Sequence, residues 1–133
     1  MRVALDTNRL SDFFRGDAVL AEGLGTCEEI WIPLFVLAEL HAGFLGGTQH
    51  PYNQRLLSAL LSKSTVAILF PGRETAEQYA RLLIQLKRAG TPVPTHDLWI
   101  AALAIERDLV LITRDRHFEK IPQLLQSQNV PEG

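Results

Sequence analysis

The amino-acid sequence predicts an α/β fold: a single domain with a mainly parallel sheet of four to five strands flanked by helices. Three observations predict it. Four short runs, residues 2–5, 29–32, 65–69 and 109–112, are rich in Val, Ile, Leu or Trp, as buried strands tend to be. Helical patterns lie between successive runs, and strands alternating with helices make parallel crossover units. The length, 133 residues, and a hydrophobic content of 47% suit one domain with a substantial core rather than a disordered chain.

After the first run, residues 10–15 and 18–24 read as two short helices broken near Gly16. Pro33 suits the first turn of a helix, and residues 34–45 continue it until Gly46 and Gly47 stop it. Residues 51–61 form another amphipathic stretch. The clearest helix covers residues 74–89, with Tyr79, Leu82, Leu83 and Leu86 on one face and Gly90 closing it. "TPVPTHD" is a proline-stiffened loop. Residues 98–105, which contain no polar side chain, are expected to be buried on nearly all sides. No repeat, low-complexity tract or linker divides the chain. The domain is therefore expected to span residues 1–126, with "SQNVPEG" (127–133) as a frayed tail.

A formal net charge of −2 gives no global basic field, so any contact with nucleic acid must rely on a local basic rim. The one cysteine, Cys27, excludes a disulfide framework or a cysteine-based zinc site within one chain and reads as a core residue. Asp6 interrupts the N-terminus before a signal-peptide core can form. The purest apolar run is far shorter than the roughly 20 residues of a membrane span. A cytoplasmic protein with no membrane segment is the expectation.

The acidic residues carry the functional signal. In open parallel sheets, ligands bind outside the carboxyl ends of the strands. Asp6 follows the first strand and Asp115 lies just beyond the fourth. Asp97 begins the helix that leads into the fourth strand, so it returns to the same edge. Glu39 sits about two turns into the helix after the second strand, roughly 9 Å along its axis. Its apolar surroundings, "LFVLAELHAGF", suggest that it is at least partly buried. Each acid alone has a simpler reading: Asp6 and Asp115 as turn residues, Asp97 as a helix cap. Together, four carboxylates at one edge raise one another's pKa values unless a cation joins them, and hard divalent ions such as Mg²⁺ or Mn²⁺ prefer oxygen ligands. Thr7, Asn8 and Thr113 are placed to orient the carboxylates. Arg114 and Arg116 are placed either to meet substrate phosphates or to form surface ion pairs, and His117 is placed to meet a phosphate as well. His41 and His50 read as surface or packing residues, and His96 as a neighbour of the acids rather than a reacting group.

The same residues carry a family likeness. "ALDTN", "LAEL" around Glu39, "HDLWIAA" around Asp97 and "LITRDRHF" around Asp115 resemble the PIN-domain ribonucleases and, more narrowly, the VapC-type toxins of toxin–antitoxin pairs. The resemblance runs from Val3 to about Leu125, and the length suits a stand-alone toxin. It implies a PIN-like nuclease domain whose catalytic and metal-binding quartet is Asp6, Glu39, Asp97 and Asp115, supported by Asn8 and Thr113. It also implies an Mg²⁺- or Mn²⁺-dependent endoribonuclease, a homodimer, and a cognate VapB-type antitoxin laying a C-terminal segment across the active-site groove. His96 departs from the pattern, since many relatives have Asn or Asp before the third acid.

Other carboxylate-rich α/β folds fit less well. A phospho-receiver domain needs an Asp at the end of its third strand, where this chain reads "AILFPGRE". A haloacid-dehalogenase-type phosphatase needs an Asp at the position of Asn8. The competitor from another class is a non-catalytic PIN-fold module that binds RNA or protein; such modules commonly lose acids, and here all four are present. Trp99, Ile100, Phe13 and Phe14 look over-supplied for one core, which points to a homodimer burying part of that surface.

Overall fold

β1 (Arg2–Leu5) pairs in parallel with β2 (Glu29–Pro33) on one side and with β4 (Val110–Ile112) on the other. β3 (Val66–Leu69) extends the sheet beyond β2, and β5 (Gln126–Ser127) extends it beyond β4. The computed structural model describes residues 1–48 and 50–132; the side chain of His50, expected as a surface or packing residue, lies outside that description. The strand order is β3-β2-β1-β4-β5, all parallel. The chain steps from β1 through β2 to β3 in one direction and then crosses back to β4 on the far side of β1. Strand order therefore reverses between β1 and β4, and such reversals open a crevice at the carboxyl edge. Val3, Ala4, Leu5, Leu111 and Ile112 have no exposed surface, as expected of strands covered on both faces.

Four strands fall on the apolar runs. β5 does not, because Gln126 and Ser127 carry no apolar signal; they pair through backbone groups, with Leu111 N donating to Leu125 O and Thr113 N donating to Ser127 O.

Among the described residues, six α-helices connect the strands: α1 (Thr7–Phe14), α2 (Ala18–Gly25), α3 (Leu34–Leu45), α4 (His50–Leu61), α5 (Arg73–Ala89) and α6 (Thr95–Glu106). α1 starts earlier than its apolar pattern suggests because Asp6 caps it, its carboxylate accepting from Thr7 N. α5 ends at Gly90, whose φ of 70° suits a residue without a Cβ. In α6, Leu98 and residues 100–104 are buried, matching the unbroken apolar run. Ile100 is wholly enclosed by its own chain. Trp99 is half-buried between Phe35 and Tyr79, at ring distances of 5.7 and 4.2 Å. Phe13 packs on Phe14, and Phe14 on Phe44. Much of the apolar surplus expected to face a second copy is therefore used within the chain. Cys27 is buried, as anticipated.

The end of the chain is not frayed through residue 130. The expected boundary at 126/127 cuts through β5, and Arg9, buried in α1, holds the segment beyond it. Its Nε donates to Gln128 O at 2.9 Å and its Nη2 to Asn129 Oδ1 at 2.9 Å. Val130 then seats against Gly23, where an added Cβ would stand only 2.9 Å from the Val130 Cβ. A buried guanidinium with five donors can anchor an otherwise polar tail. Among the described residues, no helix is long and apolar enough to cross a membrane.

Candidate active site

Asp6 leaves β1 at the strand-order reversal, its own N–H still bonded to Ile112 O of β4 at 3.0 Å. It is 4% exposed. Its carboxylate accepts from Thr113 Oγ1 at 2.7 Å, Thr7 N at 2.8 Å and Asn8 Nδ2 at 3.4 Å. Burial pushes its pKa up. The Thr113 and Thr7 hydrogen bonds pull it back, and the charges of Asp97 and Glu39 add to the rise.

Thr113 joins two acids: its hydroxyl donates to Asp6 and accepts from Asp115 N at 3.0 Å. Asp115 then caps a short 3₁₀ turn (Arg116–Lys120) by accepting from His117 N at 2.9 Å. Asp97 is the third residue of α6, since the cap position belongs to Pro94, whose carbonyl receives Leu98 N. The cap reading of Asp97 is therefore set aside: its recorded partner is His117 Nδ1, 3.0 Å from Oδ2. Burial also raises the Asp97 pKa; the His117 hydrogen bond opposes this and the charge of Asp115 adds to it.

Glu39 reaches the same edge but is exposed, contrary to the burial its sequence neighbours suggest. On α3, Val36, Leu40 and Phe44 form the buried stripe, and Glu39 stands beside it facing solvent. Its Oε1 accepts from Thr7 Oγ1 at 2.7 Å and lies against His96 Nε2. The fold thus brings all four predicted acids together: Asp6 feels Asp97 and Glu39, and Asp97 feels Asp115.

The basic residues divide. Arg114 is not free for a phosphate, because its guanidinium clamps Asp12 through Nε at 2.9 Å and Nη2 at 3.3 Å. Arg116 is 87% exposed, and its ion pair among the described residues is with Glu119, at 3.5 Å. His117 is half exposed at the rim of the acids. Asn8 links both sides of the site, donating to Asp6 and accepting from Arg114 N at 3.3 Å. Asp12 escapes the sequence reading, although its i,i+3 spacing from Arg9 is a pairing signal. His41 is a packing residue, edge-on to Phe44.

A strand-order reversal lined by four carboxylates defines an α/β domain with an acidic ligand crevice at its carboxyl edge. The PIN domain family model matches residues 3–124, and the chain belongs to that family. It is 38% identical over 82 residues to Ribonuclease VapC5 of Mycobacterium tuberculosis, covering 62% of this chain and 61% of the relative. It is 32% identical over 88 residues to Ribonuclease VapC1 of Haemophilus influenzae, covering 65% of this chain and 64% of the relative. In these alignments the chain spans less than two thirds of the length of either curated relative. The solved structure of VapBC2 from Rickettsia felis bound to a DNA fragment from their promoter is similar with a TM-score of 0.84. The match has 27% identity and covers 96% of this chain and 98% of that one.

Proposed function

We propose that this chain is an Mg²⁺- or Mn²⁺-dependent endoribonuclease that acts as the toxin of a toxin–antitoxin pair. The observation that carries the proposal is the gathering of Asp6, Glu39, Asp97 and Asp115 at the β1/β4 reversal, with burial and mutual repulsion holding up the pKa of Asp6. The residues fit a divalent ion: Asp97, Asp115 and His117 each offer a ligand atom, all within 4.8 Å of one another. When bound, Mg²⁺ or Mn²⁺ activates water and neutralises charge building on the phosphodiester.

The chain's own groups do the positioning. Thr113 and the Thr7 amide fix the Asp6 carboxylate, Thr7 Oγ1 steers Glu39, and Asn8 ties α1 to the β4 loop. Arg116 and His117 stand at the rim to meet RNA phosphates. A groove of about 550 Å³ leads away from the acids between α1, α3 and α4, past Thr7, Glu39, Phe14 and Tyr52. It suits a segment of a VapB-type antitoxin laid across the site. The curated relatives named as ribonucleases support the substrate class, and the VapBC structure supports the partner class. A homodimer and a cytoplasmic setting belong to the same reading.

The test is purified chain incubated with total cellular RNA in Mg²⁺, in Mn²⁺ and in chelator, with light scattering for assembly. Discrete cleavage in either metal and none in chelator is expected. Equal cleavage in chelator, or none in any condition, sinks the mechanism; a monomer mass at tens of micromolar removes the dimer.

A further inference from the structure

His117 occupies a place that the acidic quartet does not explain. Its Nδ1 lies 3.0 Å from Asp97 Oδ2 and 3.1 Å from Asp115 Oδ1. The position is built by the backbone. Because Asp115 caps the 3₁₀ turn through His117 N, the imidazole folds back over the carboxylates, and the fully buried Phe118 anchors the turn.

A histidine between two carboxylates can be a cationic counter-ion or a metal ligand. Two features favour the ligand, and a third accords with it. An imidazolium bridging two acids has two N–H groups and would serve each acid with one, yet here both oxygens converge on one nitrogen. A single N–H cannot point straight at both. The carboxylate that serves the fold alone, Asp12, is neutralised by arginine, through Arg9 and Arg114, whereas acids of the site face imidazoles, Glu39 facing His96 and Asp97 facing His117. Arginine has no lone pair to give, whereas imidazole does. Finally, bonds of about 2.1 Å to a six-coordinate ion would put adjacent ligand atoms about 3.0 Å apart, so the two separations, which a hydrogen bond also gives, are compatible with one shared cation.

The geometry points to His117 Nδ1 as a third ligand beside Asp97 and Asp115, biasing the site from Mg²⁺ toward first-row transition ions. The inference rests on the metal-dependent reading above. Carboxylates serve Mg²⁺ and Mn²⁺ alike, whereas an imidazole nitrogen adds affinity for transition ions in the order Mn²⁺ then Co²⁺.

Pulsed electron paramagnetic resonance of the Mn²⁺-loaded chain reads the bond directly. Calorimetric affinities for Mg²⁺, Mn²⁺ and Co²⁺ read the bias, on wild type, His117→Ala and His117→Gln. Nitrogen hyperfine coupling from a bound imidazole is expected in wild type and in neither variant. The preference for Co²⁺ over Mg²⁺ should fall by about tenfold or more in both variants. The inference is overturned if wild type binds Mn²⁺ without nitrogen coupling, or if the coupling survives His117→Ala. It is also overturned if the variants bind Mg²⁺ and Mn²⁺ more tightly by equal factors, the mark of a removed counter-ion. A wild-type chain that binds no divalent ion ends the metal reading itself, an outcome distinct from these. A wild-type spectrum without nitrogen coupling overturns the assignment even if a variant folds poorly.

Discussion

Asp6 and Asp12 stand near opposite ends of α1 and have been treated in opposite ways by the fold. Asp12 receives Arg114 through two nitrogens and Arg9 through a third. The Arg114 hydrogen bond, with Arg9 behind it, holds its carboxyl below the usual range. Asp6 is more deeply enclosed, yet its recorded donors, Thr113, Thr7 and Asn8, are all neutral, and its pKa is raised. A carboxylate that serves the fold is given its cation by the chain. On the function proposed above, one that is buried, oriented by neutral donors and crowded by other acids awaits a cation from solution.

The largest effect separating the two comes from neutralising each in turn. Asp6→Asn keeps a competent helix cap, so the metal-free chain should melt at the same temperature or higher, while RNA cleavage falls on the order of 10²- to 10³-fold. Asp12→Asn should cost about 1 kcal/mol of stability, because it weakens charge-assisted bonds that are partly open to solvent. Cleavage should stay within about threefold of wild type. Thermal melts in chelator paired with cleavage assays in Mg²⁺ check both. Deep loss of cleavage in Asp12→Asn at unchanged stability would erase the distinction.

The contrast was half legible in the sequence. Asp6, Asp97 and Asp115 sit next to strand ends or a helix start, so element order alone carried them to one edge. Glu39 arrived as well, but its burial was misjudged: an apolar helix does not say which residues lie beside the buried stripe. Asp12 went unseen because its meaning depends on Arg114, distant in the chain, and on Arg9 also reaching Gln128 and Asn129. For the same reason the C-terminal segment read as a frayed tail. Its sequence is polar, and the group that holds it lies in α1.

The next effect is smaller and concerns pH. The folded pKa of Asp6 lies above its ordinary value of 3.8. The folded chain therefore binds that proton more tightly than the unfolded chain does. The contribution of Asp6 to stability is fully present below 3.8 and is lost as pH rises through the folded value. Asp12 runs the other way: its contribution is present above 3.8 and is lost as pH falls through its lowered value. In chelator, the melting temperature of Asp6→Asn relative to wild type should climb as pH rises from 3.8 toward neutrality. That of Asp12→Asn should be negative at neutrality and shrink toward zero in acid. Differences that stay flat with pH in both variants would mean that neither charge is coupled to folding as described.

The smallest effect extends the comparison to the arginines of the β4 loop. Arg114 is committed to Asp12, so its charge belongs to the fold. Arg116 is almost fully exposed, and its contact with Glu119 at 3.5 Å is a surface pair worth little. Only Arg116 can turn to a phosphate without breaking a structural bond. A cation that neutralises one phosphate of a single strand contributes about 0.7 to the slope of log affinity against log salt. Arg116→Ala should therefore weaken RNA binding a few-fold at low salt and flatten that slope by about 0.7. Arg114→Ala should leave the slope unchanged and lower the melting temperature slightly, since it frees one side of Asp12. RNA affinity measured across a salt series, with melts alongside, tests both. A flattened slope in Arg114→Ala with an unchanged slope in Arg116→Ala would reverse the assignment. It would mean that RNA competes successfully with Asp12 for a clamped guanidinium, and that the boundary between structural and recruited charge does not run between these two residues.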